Sequence, residues 1–306
     1  MRHSGLHNFG SINLDHVYRV PHLVQPGETL ASHHYRLGLG GKGANQSLAM
    51  ARAGASLCHW GRLGRNDAWA RDHLALAGID VSGLQLVDEP SGHAVIQVDD
   101  RGENAIILFP GANHGFDAEG LDALLATTRA GDWLLAQNEC NALAELMTRA
   151  AERGLNIAFN PAPMSDSVRD LPLSRCRLLF VNRGEAARLV GRDEGTPAET
   201  LLDALLAAHP DCETVLTLGG EGAWYQYRGQ RLHQPALPVK AVDTTAAGDI
   251  FIGYYLAAIQ AELPVADCLA RAATAAALGV QRPGAADSIP QGDEVERVLR
   301  DGFPSP

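Results

Sequence analysis

Between Trp133 and Leu218 the chain repeats one pattern. The apolar runs WLLA (Trp133 to Ala136), LNIAF (Leu155 to Phe159), LLFV (Leu178 to Val181) and TVLTL (Thr214 to Leu218) alternate with helical periodicity. The helical segments are Ala142 to Glu152, Glu185 to Val190 and Pro197 to Ala208, with another at Asp117 to Thr128 ahead of the first run. Strands apolar on both faces that alternate with helices predict a mainly parallel sheet covered on both sides, an α/β body. Upstream of this stretch the pattern changes. His16 to Val20, His33 to Leu37, His93 to Val98 and Asn104 to Leu108 read as short strands, and only some have helices (Ala44 to Ala53, Asp67 to Ala77) between them. These early strands predict a small β appendage on the body. Downstream, two Ala-rich helices (about 248–261 and 265–278) and a last helix near 293–300 complete the chain.

Composition agrees with this reading. The 306 residues are 46% hydrophobic and 20% charged, which excludes wholesale disorder. Twenty-five basic against 36 acidic residues give a net charge of −11, which argues against a nucleic-acid-binding face. The five cysteines (Cys58, Cys140, Cys176, Cys212, Cys268) are odd in number and lack a C-x-x-C pair, so a reduced, cytoplasmic chain is expected. The opening MRHSGLHNFGSINLDH lacks the apolar core of a secretion signal, and no run is long enough to span a membrane.

Several familiar patterns lead elsewhere. Gly38-Leu39-Gly40-Gly41-Lys42-Gly43 fits G-x-G-x-x-G, but the acidic residue of a dinucleotide site is not found at a convincing strand end about 20 positions on. Lys42 is followed by Gly43, not by Ser or Thr, so this is no Walker A loop. The 12 histidines form no Cys/His cluster, and G-x-S-x-G is absent.

Three segments carry chemistry. In Asp243-Thr244-Thr245-Ala246-Ala247-Gly248-Asp249, small residues precede an apolar helix. Such a helix start offers backbone N–H groups and a partial positive charge to an anion. Asp249 in its first turn could take a proton from an attacking hydroxyl, although either Asp could simply cap the helix. In Gly40 to Gln46, three glycines within four residues suit close approach of backbone to a ligand, with Lys42 and Asn45 as polar contacts; an ordinary strand-to-helix turn is the alternative. Asn13 and Asp15, two residues apart at the end of an apolar strand, would share one face and could bind vicinal hydroxyls.

Together these segments resemble the ribokinase (PfkB-type) family of carbohydrate kinases over nearly the whole chain. GGKGANQS (Gly40 to Ser47), with Gly54 and Gly64 beyond it, is similar to the family's first signature, and DTTAAGD (Asp243 to Asp249) to its second. Asn160 to Pro163, Thr217 to Gly222, Gly102 to Asn104 and Gly111 to Asn113 match further segments in order. The resemblance implies a ribokinase-like three-layer sandwich forming one domain, with a small β-sheet lid over about 14–36 and 92–109. It also implies ATP-dependent phosphorylation, foremost of D-ribose at O5. The alternatives are another small sugar or nucleoside (2-deoxyribose, fructose, adenosine) and, in another class, a non-catalytic sugar or nucleotide sensor.

The implied roles attach to particular positions. Asn13, Asp15, Gly41, Lys42, Asn45 and Glu139 would hold the sugar. Asp249 would be the base, and Ala246, Ala247 and Gly248 the anion hole. Asn182, Thr217, Gly219 and Gly222 would bind the nucleotide. K⁺ would lie by Asp243, Thr245, Gly279, Arg282, Gly284 and Ser288, mostly on backbone carbonyls, and Glu185 would order water around Mg²⁺. A homodimer through the lid is implied as well. Two positions depart from the family pattern. Arg183 stands where N-x-x-E usually has an acidic residue after Asn182, and Tyr254 follows Gly253 where a small residue is usual.

Overall fold

The computed structural model describes residues 4–303. Nine strands form one sheet. In spatial order they are Gln230–Gln234 (β13), Ala223–Tyr227 (β12), Glu213–Thr217 (β11), Leu178–Asn182 (β10), Asn156–Asn160 (β9), Trp133–Gln137 (β8), Leu6–Phe9 (β1), Cys58–Gly64 (β4) and Leu84–Val87 (β5). From β11 to β5 every pairing is parallel; β12 and β13 close one edge as an antiparallel hairpin. The four runs that decided the α/β reading are β8 to β11, the centre of the sheet.

Their side chains alternate between two cores. Leu135, Leu178, Phe180 and Val215 pack with helices Lys42–Arg52 (α1), Ala68–Leu76 (α2), Ala247–Gln260 (α7), Val265–Gly279 (α8) and Gly292–Asp301 (α9). Leu134, Ala136, Leu179, Val181 and Leu216 pack with Ala118–Leu125 (α3), Leu143–Glu152 (α4), Arg183–Leu189 (α5) and Ala198–Ala208 (α6). The result is a ribokinase-like three-layer sandwich. Burial on both faces is the reason the interiors of these strands are apolar but for Thr214.

The early strands form a second sheet in the order His34–Gly40 (β3), Asn13–Arg19 (β2), Gly92–Val98 (β6) and Asn104–Phe109 (β7). Asn13 and Asp15 open β2 of this sheet rather than closing an apolar strand of the body, and the second sheet extends through residue 40, beyond the expected 36. β3 pairs antiparallel with β2, so Gly38 to Gly43 does not join a βαβ unit and is no dinucleotide fingerprint. Among the described residues, no helix is long and apolar enough to cross a membrane, and the five cysteines are unpaired.

Candidate active site

The order of strand addition reverses between β1 and β8: β1, β4 and β5 build outward on one side, β8 to β11 on the other. In such sheets ligands bind beyond the carboxyl ends of the strands at this point. Here those ends carry a row of polar residues. Gln137 and Asn160 end β8 and β9 in register, and Asn182 and Thr217 end β10 and β11 in register. A cleft of about 220 Å³ opens over this row, walled by Asn160, Asn182, Glu185, Thr217, Lys42 and the start of α7 from Ala246 to Asp249.

Asp249 is 6% exposed. Its Oδ2 accepts from Asn45 Nδ2 at 3.1 Å and its Oδ1 from Gln46 Nε2 at 2.8 Å, both from α1. It therefore does not cap α7. Ala246 does, in the left-handed conformation (φ 60°) and without a side-chain hydrogen bond. Ala246, Ala247 and Gly248 line the cleft at this helix start, where Ala247 N donates to Thr244 O at 3.2 Å. Asp243 does not cap α7 either. Its oxygens accept from Thr245 N (2.9 Å) and Gly284 N (2.8 Å), tying the loop before α7 to the loop after α8. Burial alone would raise its pKa, but these hydrogen bonds outweigh it and hold the carboxyl below its ordinary value.

The residues expected to hold the sugar converge at the base of the second sheet. Gly41 caps α1 at φ 89°, and a Cβ there would lie 2.8 Å from Asn13 N. This close approach aims Lys42 N at Glu139 Oε2 (2.9 Å), which also accepts from Ser11 Oγ. The Asp15 carboxylate packs on the Cα of Gly40, where a Cβ would collide with it. Burial, with Glu139 nearby, raises Asp15 to about 6 against the weaker opposing pull of Arg36. Lys42 is held above its ordinary value, chiefly by Asp249 and further by Glu139 and Glu185, against burial. Asn13 Oδ1 accepts from Asn113 Nδ2 at 2.8 Å, and Asn113 Oδ1 accepts from Ile12 N, which fixes the Asn13 amide.

Among the positions expected to bind the nucleotide and Mg²⁺, Asn182 and Glu185 form a complete capping box at the start of α5, both bonds 2.9 Å. Burial raises the Glu185 pKa against that backbone bond and Lys42. Gly219 and Gly222 shape the β11–β12 turn with φ of 58° and 91° and lie outside the cleft walls. Arg183 turns to this same turn, reaching Glu221 Oε1 at 2.8 Å and Thr196 O at 3.0 Å. Of the expected cation positions, Gly279 lies close to Ser288, whose O is 3.7 Å from where a Cβ would stand; Arg282 sends its side chain to Glu294. Among the described residues no group of three His, Cys, Asp or Glu is placed to hold a metal, so a cation here would rest largely on backbone carbonyls. Tyr254 donates to Pro290 O at 2.9 Å, while Gly253 lets α1 approach.

The pfkB family carbohydrate kinase model matches residues 6–292. The chain belongs to the pfkB family of carbohydrate kinases. It is 34% identical to a ribokinase of Haemophilus influenzae over 95% of this chain and 96% of that one, and 35% identical to a ribokinase of Schizosaccharomyces pombe over 94% and 95%. A ribokinase of Arabidopsis thaliana, solved with ribose and ATP, superposes with a TM-score of 0.88 at 26% identity, covering 98% and 99%. It is a ribokinase-type sugar kinase. Three side chains of the site had no role in the sequence reading: Gln46 and Asn113, which stand in quoted motifs, and Gln137 at the end of β8. Each acts through a neighbour distant in sequence, and no local spacing announces that.

Proposed function

We propose that this kinase transfers the γ-phosphoryl group of ATP to O5 of D-ribose. The observation that carries the reading is Asp249, a buried carboxylate in the first turn of α7, beside N–H groups suited to an anion and facing Lys42 and Glu185 across one cleft. Phosphoryl transfer needs positioning and charge stabilisation rather than a covalent intermediate. Asp249 accepts the hydroxyl proton, and the N–H groups of Ala246, Ala247 and Gly248 receive the transferring group. Lys42 balances charge between them. Asn13, Asp15, Gly41, Asn45 and Glu139 hold the hydroxyls, and Asn182, Thr217, Gly219 and Gly222 hold the nucleotide.

Mg²⁺ prefers oxygen and keeps several waters, and when bound it would neutralise phosphate charge; Glu185 fits the role of ordering those waters. Asp243 and the carbonyls of Thr245, Gly279, Arg282, Gly284 and Ser288 fit a monovalent cation such as K⁺, since they are hard oxygen donors on two loops that Asp243 already joins. The second sheet serves as a lid that excludes water. Its edge strand β7 exposes Ile106, Ile107, Leu108 and Phe109, an apolar edge suited to pairing with the lid of a second copy.

The test is ADP release with Mg²⁺ and K⁺ across D-ribose, 2-deoxyribose, fructose, adenosine and no acceptor, with the product's phosphate position read by NMR. Ribose should give the highest kcat/KM and a 5-phosphate. Preference for another acceptor would reassign the lid contacts. In Asp249→Asn, turnover should fall by on the order of 10²-fold or more with ribose binding retained; an active variant would remove Asp249 as base.

A further inference from the structure

Behind Asp249 lies a run of buried amides that the proposed mechanism leaves unused. Gln46 Nε2 donates to Asp249 Oδ1 at 2.8 Å, and Gln46 Oε1 accepts from Gln137 Nε2 at 2.7 Å. Gln137 Nε2 also donates to Asn8 Oδ1 at 2.9 Å, and Asn8 Nδ2 donates to Gly43 O and Ser47 Oγ, both at 2.8 Å. Gln46, Gln137, Asn8 and Ser47 are fully buried. They come from α1, β8 and β1, so polar contacts join the three elements behind the carboxylate.

The run has a direction. Asn8 presents its oxygen to Gln137 because its NH₂ is engaged by a backbone carbonyl, which cannot donate. Gln137 must then turn its NH₂ toward Asn8, and the same NH₂ meets the oxygen of Gln46. Gln46 is left with its NH₂ on Asp249. Turning Gln46 over would set its oxygen against the Asp249 carboxylate at one end and its NH₂ against that of Gln137 at the other. Gln137 Oε1 has no partner in this orientation, so the arrangement is held by its neighbours and not by Gln137's own preference. Space is tight as well, since a Cβ on Gly10 would come within 2.5 Å of Gln137 Oε1. Ser47 Oγ lies 2.8 Å from His59 Nδ1, and burial drops His59 to about 4, so apart from Asp249 the run is uncharged at neutral pH.

We propose that Gln46 and Gln137 are positioning residues: Gln46 fixes the rotamer of the Asp249 carboxylate toward the acceptor hydroxyl, and Gln137 fixes which end of Gln46 faces it. This rests on the reading of Asp249 as the base. Gln46→Met removes the donor with similar bulk. It should lower kcat on the order of 10- to 100-fold, as expected for losing one hydrogen bond to a charged group. The ribose dissociation constant measured by calorimetry and the KM for ATP should stay within about threefold of native, as the sugar and nucleotide contacts are untouched.

The deciding measurement is a cycle with Asp249→Asn. In that background Gln46→Met should cost little more, because there is no carboxylate left to aim. An equal loss of kcat in both backgrounds, or a kcat unchanged by Gln46→Met while Asp249→Asn loses turnover, would overturn the positioning role and leave the base assignment standing. Full turnover by Asp249→Asn alone would overturn both. Should Gln46→Met not fold, Gln137→Met carries the same test, since it keeps Gln46 but frees it to turn over; a smaller kcat loss absent from the Asp249→Asn background is expected.

Discussion

Asp15→Asn should make the free protein more stable while damaging its function. The Asp15 carboxyl is raised from 3.8 to about 6 by burial and by Glu139. At about 1.36 kcal/mol per unit, this shift of about two units sets a cost near 3 kcal/mol for keeping the ionised side chain in the folded state. The sign follows from proton binding. Below pH 3.8 both states hold the proton and there is no cost. As pH rises through 3.8 the unfolded chain releases it first, so stability is lost until the folded group ionises near 6, and the full cost persists above that. Asparagine also needs partners on burial, so a net gain of about 1–3 kcal/mol at pH 7.5 is expected. For a chain of this size that is roughly 1.5–2 °C in Tm per kcal/mol. Near pH 4.5 the gain should shrink to about a third. Thermal melts of native and variant at both pH values provide the assay. Because the carboxylate would accept sugar hydroxyls, the ribose KM should rise about 10- to 100-fold in the variant, and the native KM should rise as pH falls below 6. A variant no more stable at pH 7.5, or a gain that does not change with pH, would refute the claim that Asp15 is held ionised at a cost; an unchanged KM would remove it from the pocket.

Gly40→Ala should push the Asp15 carboxylate out of its place on the Gly40 Cα and raise the ribose KM with kcat less affected, read by steady-state kinetics. Arg183→Ala breaks an ion pair whose Glu221 partner is largely exposed, so melting should shift by less than about 1 kcal/mol; a KM for ATP raised severalfold with an unchanged ribose KM would show that Arg183 shapes the nucleotide turn. Ile107→Lys puts a charge on a lid-edge residue that is 68% exposed, and light scattering should show the mass falling from dimer to monomer without loss of the monomer's fold.

Legibility followed burial. β8 to β11 could be read because both faces are buried in two apolar cores, which leaves continuous apolar runs. β1 and β4 could not. Asn8 in the one, and His59, Gly61 and Arg62 in the other, interrupt the apolar run; Asn8 and His59 are fully buried, the first within the amide run behind Asp249 and the second at its end. A strand that contributes polar groups to a site conceals itself from hydrophobic pattern. The hairpin β12–β13 was missed for the opposite reason, since β13 is largely exposed and carries no pattern to find. In the site, the Gly40 to Ser47 and Asp243 to Asp249 segments were legible as local spacing. That Glu185 and Asn182 cap each other was equally local. The contacts that orient these groups span 91 residues from Gln46 to Gln137 and 203 from Gln46 to Asp249, and only the fold brings them together.

The charge of the site bears on how it would discriminate its two substrates. Asp15, Glu139, Glu185, Asp243 and Asp249 gather near Lys42, whose raised pKa reports three of them, and Arg36, which pulls on Asp15 and Asp243. A neutral polyol suits such a surface, because carboxylates are acceptors for hydroxyl donors. A polyphosphate does not, unless cations and helix N–H groups offset the repulsion. Nucleotide binding in this cleft should therefore depend steeply on divalent metal, while ribose binding alone should not. Calorimetric titrations of each ligand with and without Mg²⁺ would check this. Equal ATP affinity in both conditions would mean that the α7 N-terminus and Lys42 suffice, and that Glu185 serves only as the cap of α5.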